Sequence, residues 1–185
     1  MKHRTFVAIT PPRSIREKLA GVTEQLKKLN LPIKTTTTSN IHLTLRFLDS
    51  LSQEEIKLVD CKLKESFAEE KKLYLDLDSV KLFPSEQNAK VISANLAYNL
   101  NLIKLENKVR KSLRQFRFLP DENRRFHSHM TLARITKPLQ KEDIKKINNI
   151  SIKGSWEVKT IELLKSDLSG KTPRYNLLES YLLKE

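Results

Sequence analysis

The chain has 185 residues, 38% of them hydrophobic and 31% charged, with a formal net charge of +13 and a sequence pI near 9.8. That length suits one domain, or two small lobes sharing a core, and needs neither disulfides nor a structural metal to stay folded. One cysteine, Cys61, excludes an internal disulfide and a cysteine-built zinc site. No stretch approaches the ~18 apolar residues of a membrane span, and the apolar run after Met1 is too short for a secretion signal, so a cytoplasmic protein is expected.

The predicted elements alternate in type along the chain. Thr5 to Thr10 is a short apolar run stopped by Pro11-Pro12 and reads as a buried strand. Ser14-Ile15-Arg16-Glu17 has the pattern of a capping box. Behind it Ile15, Leu19, Val22, Leu26 and Leu29 make one helical stripe. A strand is expected over 41–48, then a second capping box at Ser52-Gln53-Glu54-Glu55 and a helix with Ile56, Val59, Leu63 and Phe67 inward. Strands follow over 74–80 and 91–96, and a helix over 99–116 carrying Leu102, Leu105, Val109, Leu113 and Phe116. A strand over 127–135 and a weak basic helix over 141–147 come next. Strands over 156–164 and 175–183 close the chain, with a turn at 169–173 between them.

This order reads as an α+β fold, a bilobal duplicated unit. Antiparallel sheets should line a central cleft with helices on the outside. No flexible linker separates the halves, so residues 1–185 are expected to form a single two-lobed domain. Only three glycines occur, which rules out Gly-rich phosphate loops of the Rossmann or P-loop kind.

The positive surplus favours polyanions, nucleic acid before anionic membranes. It is dispersed in clusters, such as Lys137, Lys141, Lys145 and Lys146, or Arg110, Lys111, Arg114, Arg117, Arg124 and Arg125. That pattern suits a basic face on a folded domain better than a disordered arm. A generally basic chain kept soluble by its charge is the weaker alternative.

Two segments repeat one message. Ile41-His42-Leu43-Thr44-Leu45-Arg46 and Ser128-His129-Met130-Thr131-Leu132-Ala133-Arg134 each contain His-x-Thr-Leu followed by an arginine. Two of the chain's four histidines head these motifs. On a strand, His and Thr two apart share a face. Leu43 and Leu45, or Met130 and Leu132, would then anchor the reverse side. Two such strands facing each other bring two imidazoles and two hydroxyls to one cleft. By alternation Arg46 should also face the cleft, whereas Arg134 should not unless a bulge re-aims it. His127 would share the face of His129 and is a possible substrate contact, although a solvated residue at a strand start is the stronger reading.

A histidine pair suits acid/base chemistry on a phosphate. A neutral ring accepts a proton from an attacking water while a protonated one donates to the departing oxygen. Threonine hydroxyls can donate to non-bridging oxygens. A lone His-x-Thr is usually meaningless; the duplication is what carries weight. Metal binding is a poorer reading, because no carboxylate or cysteine accompanies either motif. No metal and no cofactor are therefore expected.

With these motifs the chain resembles the two-histidine (2H) phosphoesterases, and within them the RNA 2′,3′-cyclic phosphodiesterases, also called 2′-5′ RNA ligases. The resemblance extends to Thr5-Phe6-Val7-Ala8-Ile9-Thr10-Pro11-Pro12 with Arg16-Glu17, to Asn40–Leu48 and Phe126–Arg134, and to Ser166-Asp167-Leu168 and Tyr175. Ser128 stands where the family usually has proline, and Lys90 where an arginine is common. The resemblance implies a metal-independent hydrolase that opens RNA 2′,3′-cyclic phosphate ends to 2′-phosphates. His42 would be the proton donor and His129 the proton acceptor, with Thr44 and Thr131 holding the phosphate. Arg46, Arg134 and His127 remain possible substrate contacts. It also implies a reverse reaction forming 2′-5′ linkages. The partner would be RNA ending in a cyclic phosphate, tRNA fragments among the candidates, and the protein is expected to act as a monomer. The competing readings are an RNA-binding module with little catalysis and a cyclic phosphodiesterase of a small nucleotide.

Overall fold

The computed structural model describes residues 2–121, 125–170 and 172–185. In chain order it contains β1 (His3–Ile9), α1 (Arg13–Lys28), β2 (Ile33–Thr35), a 3₁₀ turn (Thr38–Asn40), β3 (Leu43–Leu51), α2 (Gln53–Phe67), β4 (Leu73–Phe83), β5 (Val91–Leu96), α3 (Leu100–Leu113), β6 (His129–Ile135), α4 (Lys141–Asn148), β7 (Gly154–Val158), β8 (Thr160–Asp167) and β9 (Arg174–Leu182).

The fold is α+β, as expected, and its strands form one connected antiparallel sheet. Its order is β7-β4-β5-β6-β3-β1-β8-β9, with β2 also paired to β6. The two motif strands, β6 and β3, lie at the centre. A single residue pair, Leu43 with Met130, joins them, whereas each is bound along its length to its own outer neighbour, β5 or β1. The centre of the sheet is thus its weakest seam, and the cleft opens there.

Helices cross the seam. α1 follows β1 in one half yet packs against β6 and β7 of the other. α3 follows β5 yet packs against β3. Each half therefore covers the other half's apolar face. The expected stripes are the surfaces used: Ile15, Leu19, Val22 and Leu26 on α1, Val59, Leu63 and Phe67 on α2, and Leu102, Leu105, Val109 and Leu113 on α3 are all buried. Fully burying one such side chain is worth about 1.5–3 kcal/mol, so these stripes, not helix propensity, hold the helices in place.

Local signals succeeded and failed for identifiable reasons. The Ser52 box is complete: Glu55 N–H donates to Ser52 Oγ at 3.3 Å, and Ser52 N–H donates to Glu55 Oε2 at 2.7 Å. The box at Ser14 does not form. Pro12 takes the N-cap position, and its carbonyl accepts from the N–H groups of both Ile15 and Arg16 at 3.1 and 2.9 Å. Glu17 instead accepts from Arg13 Nε at 2.8 Å. α3 starts where Asn99 Oδ1 accepts from Leu102 N–H at 2.9 Å but ends at Leu113, short of the expected Phe116.

The strand expected over 156–164 is two strands, β7 and β8, broken at Lys159. Burial changes phase there: Trp156 and Val158 are inward before it, Ile161 and Leu163 after it. β7 pairs with β4 at one end of the sheet and β8 with β1 in the other half. The turn expected at 169–173 includes Lys171, which lies outside the described residues, as does Arg124 of the basic cluster.

Candidate functional site

The two motif strands share an irregularity that decides what reaches the cleft. Along β1 and β3, Ala8 faces Thr44 and Val7 faces Arg46, so Leu45 has no partner. Along β5 and β6, Ser93 faces Thr131 and Ile92 faces Ala133, so Leu132 has none. Both motifs carry a β-bulge at the leucine directly after the threonine. One extra residue reverses the alternation beyond it.

The reversal corrects the expectation for Arg46. Its side chain is 5% exposed and turns to the helical side. Nη1 donates to Arg110 O at 2.9 Å and Nη2 to Pro120 O at 3.3 Å. Phe47, one residue on, takes the cleft face at 58% exposure. In the second motif the same reversal turns Arg134 into the cleft, while Ala133 is buried. Regular alternation would have put each arginine on the opposite side.

The cleft has a volume of about 560 Å³. His42, Thr44, His129 and Thr131 all line it, together with His127 and Arg134. The structure thus brings together every expected site residue except Arg46. Arg4, Lys34 and Arg125 add positive charge to the wall, against one carboxylate among the described residues, Glu106. The lining is therefore suited to an anion.

The two motif histidines are held alike. His42 Nδ1 lies 2.7 Å from Asn40 O, and His129 Nδ1 lies 2.8 Å from His127 O. A carbonyl oxygen can only accept, so Nδ1 carries the proton in each ring. Nε2 is then the nitrogen that exchanges protons. This is a paired version of the arrangement that fixes a general acid or base in one tautomer.

Aromatic rings set the orientation of both imidazoles. Phe6 packs on His42 at 4.8 Å between centroids, and Tyr175 meets it edge-on at 5.0 Å. Phe83 stacks on His129 at 4.5 Å with 17° between planes and meets His127 edge-on at 5.5 Å. Burial pushes the His42 pKa below the usual histidine value; the Asn40 carbonyl opposes this, and the nearby His129 adds to it. Burial pushes the Tyr175 phenol up, against smaller opposing effects of Arg134 and Arg4, so that hydroxyl stays neutral at ordinary pH.

Sequence reasoning did not place Phe6, Phe83, Arg4 or the stretch Lys34–Thr37 at the site. Phe83 could not be linked to His129 before β4, β5 and β6 were known to be neighbours. β2 is only three residues long and offers no periodicity to detect. Among the described residues, no group of three or more His, Cys, Asp or Glu stands arranged to hold a metal ion.

A model of the LigT-like phosphoesterases matches residues 9–93, which include the first motif but not the second. The chain is 29% identical to a protein of Methanocaldococcus jannaschii named RNA 2′,3′-cyclic phosphodiesterase, over 96% of this chain and 99% of the relative. A protein of Archaeoglobus fulgidus with the same name is 27% identical, again over 96% and 99%. Among solved structures, TT0787 of Thermus thermophilus aligns with a TM-score of 0.86 at 23% identity over 97% of both chains. The E. coli LigT structure complexed with 3′-AMP aligns with a TM-score of 0.82 at 24% identity over the whole of both chains. At such identities the two structures speak for the fold.

Proposed function

We propose that the chain is a LigT-like phosphoesterase and that it hydrolyses the 2′,3′-cyclic phosphate at RNA ends through its two histidines. The observation that carries this reading is the matched pair, each Nδ1 tied to a backbone carbonyl two residues upstream and each ring lining one cationic cleft. The names of the two relatives support the substrate class, and a protein of the same fold has been solved as a 3′-AMP complex.

In the proposed reaction His129 Nε2 takes a proton from water as its oxygen bonds to phosphorus. The bond from phosphorus to the 3′ oxygen breaks, and the proton on His42 Nε2 passes to that oxygen. A 2′-phosphate remains, and the two rings return to their starting protonation through solvent. Thr44 and Thr131 donate hydroxyl hydrogens to the non-bridging oxygens, where charge builds up. Arg134 adds positive charge beside them. With a 5′-hydroxyl in place of water, the same steps form a 2′-5′ linkage. Because each half supplies one histidine, residues 1–185 act as one two-lobed unit, without a metal ion.

The lowered pKa of His42 bears on the roles. Its burial favours the neutral ring, which alone would suit a base. As the acid, His42 needs the incoming phosphate anion to restore its proton, since an opposite charge nearby favours the charged form. Exchanged roles are therefore the second reading.

The test is product analysis with a short RNA ending in 2′,3′-cyclic phosphate, in EDTA, with His42→Ala and His129→Ala alongside. A 2′-phosphate product that disappears in both variants supports the reading. Salt-sensitive RNA binding without turnover would replace it with a binding module. Turnover of a cyclic mononucleotide but not of RNA would replace the polymer with a small nucleotide.

A further inference from the structure

A second concavity, of about 1010 Å³, lies away from the cleft at the packed helices α2 and α3. Among the described residues five cations line it, Lys62, Lys104, Lys108, Arg110 and Lys111, and no carboxylate does. The spacing of Lys104, Lys108 and Lys111 puts them in one stripe along α3, opposite the buried Leu102, Leu105 and Val109. Three of the five are partly neutralised from the rim: Lys62 by Glu65 at 2.8 Å, Lys108 by Glu70 at 2.5 Å, and Arg110 by Glu106 at 3.8 Å. Lys104 and Lys111 are exposed and, among the described residues, no ion pair holds them. The stripe spans about 10 Å of helix axis, room for about three phosphates at ~3.4 Å per phosphate along a strand.

One helix, α3, contributes to both the groove and the cleft. Glu106, one turn before Arg110 on α3, lines the cleft wall. The Arg46 guanidinium ties the Arg110 carbonyl, at the groove, to the Pro120 carbonyl. Arg125 and Phe126, a few residues further along, line the cleft again. Arg114 and Arg117 are exposed on the stretch between.

We propose that this groove is a second RNA contact, holding the sugar-phosphate backbone of the substrate while its cyclic end occupies the cleft. The proposal rests on the RNA reading of the cleft. A charged helix face is ordinarily just solvated, but here the charged side chains of the lining are all cations, interleaved with Ser66, Asn107, Ser112 and Gln115, and the carboxylates stand at the rim. Among the described residues no aromatic or aliphatic side chain lines it, so it lacks the anchors of a protein interface and the platforms that stack bases. What remains is chemistry for phosphates, independent of base sequence.

The test compares the full chain with its Lys104→Gln/Lys111→Gln variant. A fluorescent RNA with a 3′-hydroxyl, about 20 nucleotides long, is titrated by anisotropy over a salt series. This reads binding without any turnover. The salt slope should become shallower by about 0.7 for each lysine lost, and affinity near 0.15 M salt should fall roughly tenfold. Turnover of 2′,3′-cyclic AMP should be unchanged. A Lys141→Gln/Lys145→Gln variant on α4 carries the same charge loss elsewhere and should lose less RNA affinity. An unchanged slope in the α3 variant, an equal loss from the α4 variant, or a fall in mononucleotide turnover would overturn the proposal. Groove-dependent RNA binding in a wild type that turns over neither substrate would instead sink the cyclic-phosphate reading and leave the groove standing.

Discussion

Arg46→Met separates the two ways of reading the first motif. If the bulge at Leu45 is correct, the substitution removes at least the hydrogen bonds to Arg110 O and Pro120 O from a residue that is 5% exposed. Hydrogen bonds from a charged donor contribute about 1.5–3 kcal/mol each. The 2.9 Å bond to Arg110 O should lie within that range and the 3.3 Å bond to Pro120 O near its bottom. Relief from burying a charge and the packing of the methionine offset part of the loss. A net destabilisation of about 2–3 kcal/mol follows. For a chain of this size that lowers Tm by roughly 4–12 °C. Thermal melts and steady-state kinetics on a cyclic-phosphate substrate, taken well below Tm, should show lost stability with kcat/KM within about twofold of wild type. Arg134→Met should do the reverse, leaving Tm unchanged and lowering kcat/KM at least tenfold, about 1.4 kcal/mol. An Arg46→Met protein with unchanged Tm and a tenfold higher KM would refute the argument, because the guanidinium would then face the cleft.

The histidine variants should each lose about 10²–10⁴ in kcat, the usual worth of one general acid or base; a variant retaining more than a tenth of wild-type kcat removes that histidine from the chemistry. Thr44→Val and Thr131→Val keep side-chain shape and should lower kcat by about 10² without changing Tm, and a pure KM effect would mean the hydroxyls bind the ground state only. Because the folded-state pKa of His42 is lowered, its contribution to stability is complete above the unfolded value of about 6.5 and is lost as pH falls through the lowered folded value. Urea midpoints should therefore drop over that window more steeply in wild type than in His42→Ala, and inorganic phosphate should shift the His42 ring titration upward by NMR; parallel urea profiles would contradict the burial effect. Ser52→Ala should destabilise the protein by about 0.5–2 kcal/mol through loss of the complete capping box, measured by urea unfolding, whereas Ser14→Ala should cost almost nothing because Pro12 occupies that cap position.

How far the site was legible depends on the range of the signal. The two His-x-Thr-Leu repeats are local patterns, so His42, Thr44, His129 and Thr131 could be named as a set before any coordinates. The helices were legible for the same reason, since a stripe at helical spacing is written in consecutive residues, and Ser52 with Glu55 marks a start within four positions. The Ser14 pattern misled because a proline two residues earlier competes for the same helix start, and a motif match does not weigh its neighbours.

The amino-acid sequence by itself determined that this chain would carry two like strands with imidazoles and hydroxyls on one face, backed by amphipathic helices. The tertiary structure alone decided which arginine reaches the cleft, because a bulge belongs to a pair of strands and not to either one. Leu45 and Leu132 are extra residues only relative to β1 and β5. The break at Lys159, the exchange of α1 and α3 across the seam, and the stacking of Phe83 on His129 were decided in the same way. Each depends on which strands become neighbours, and strands distant in sequence become neighbours through the burial of whole faces, which no local window of residues contains.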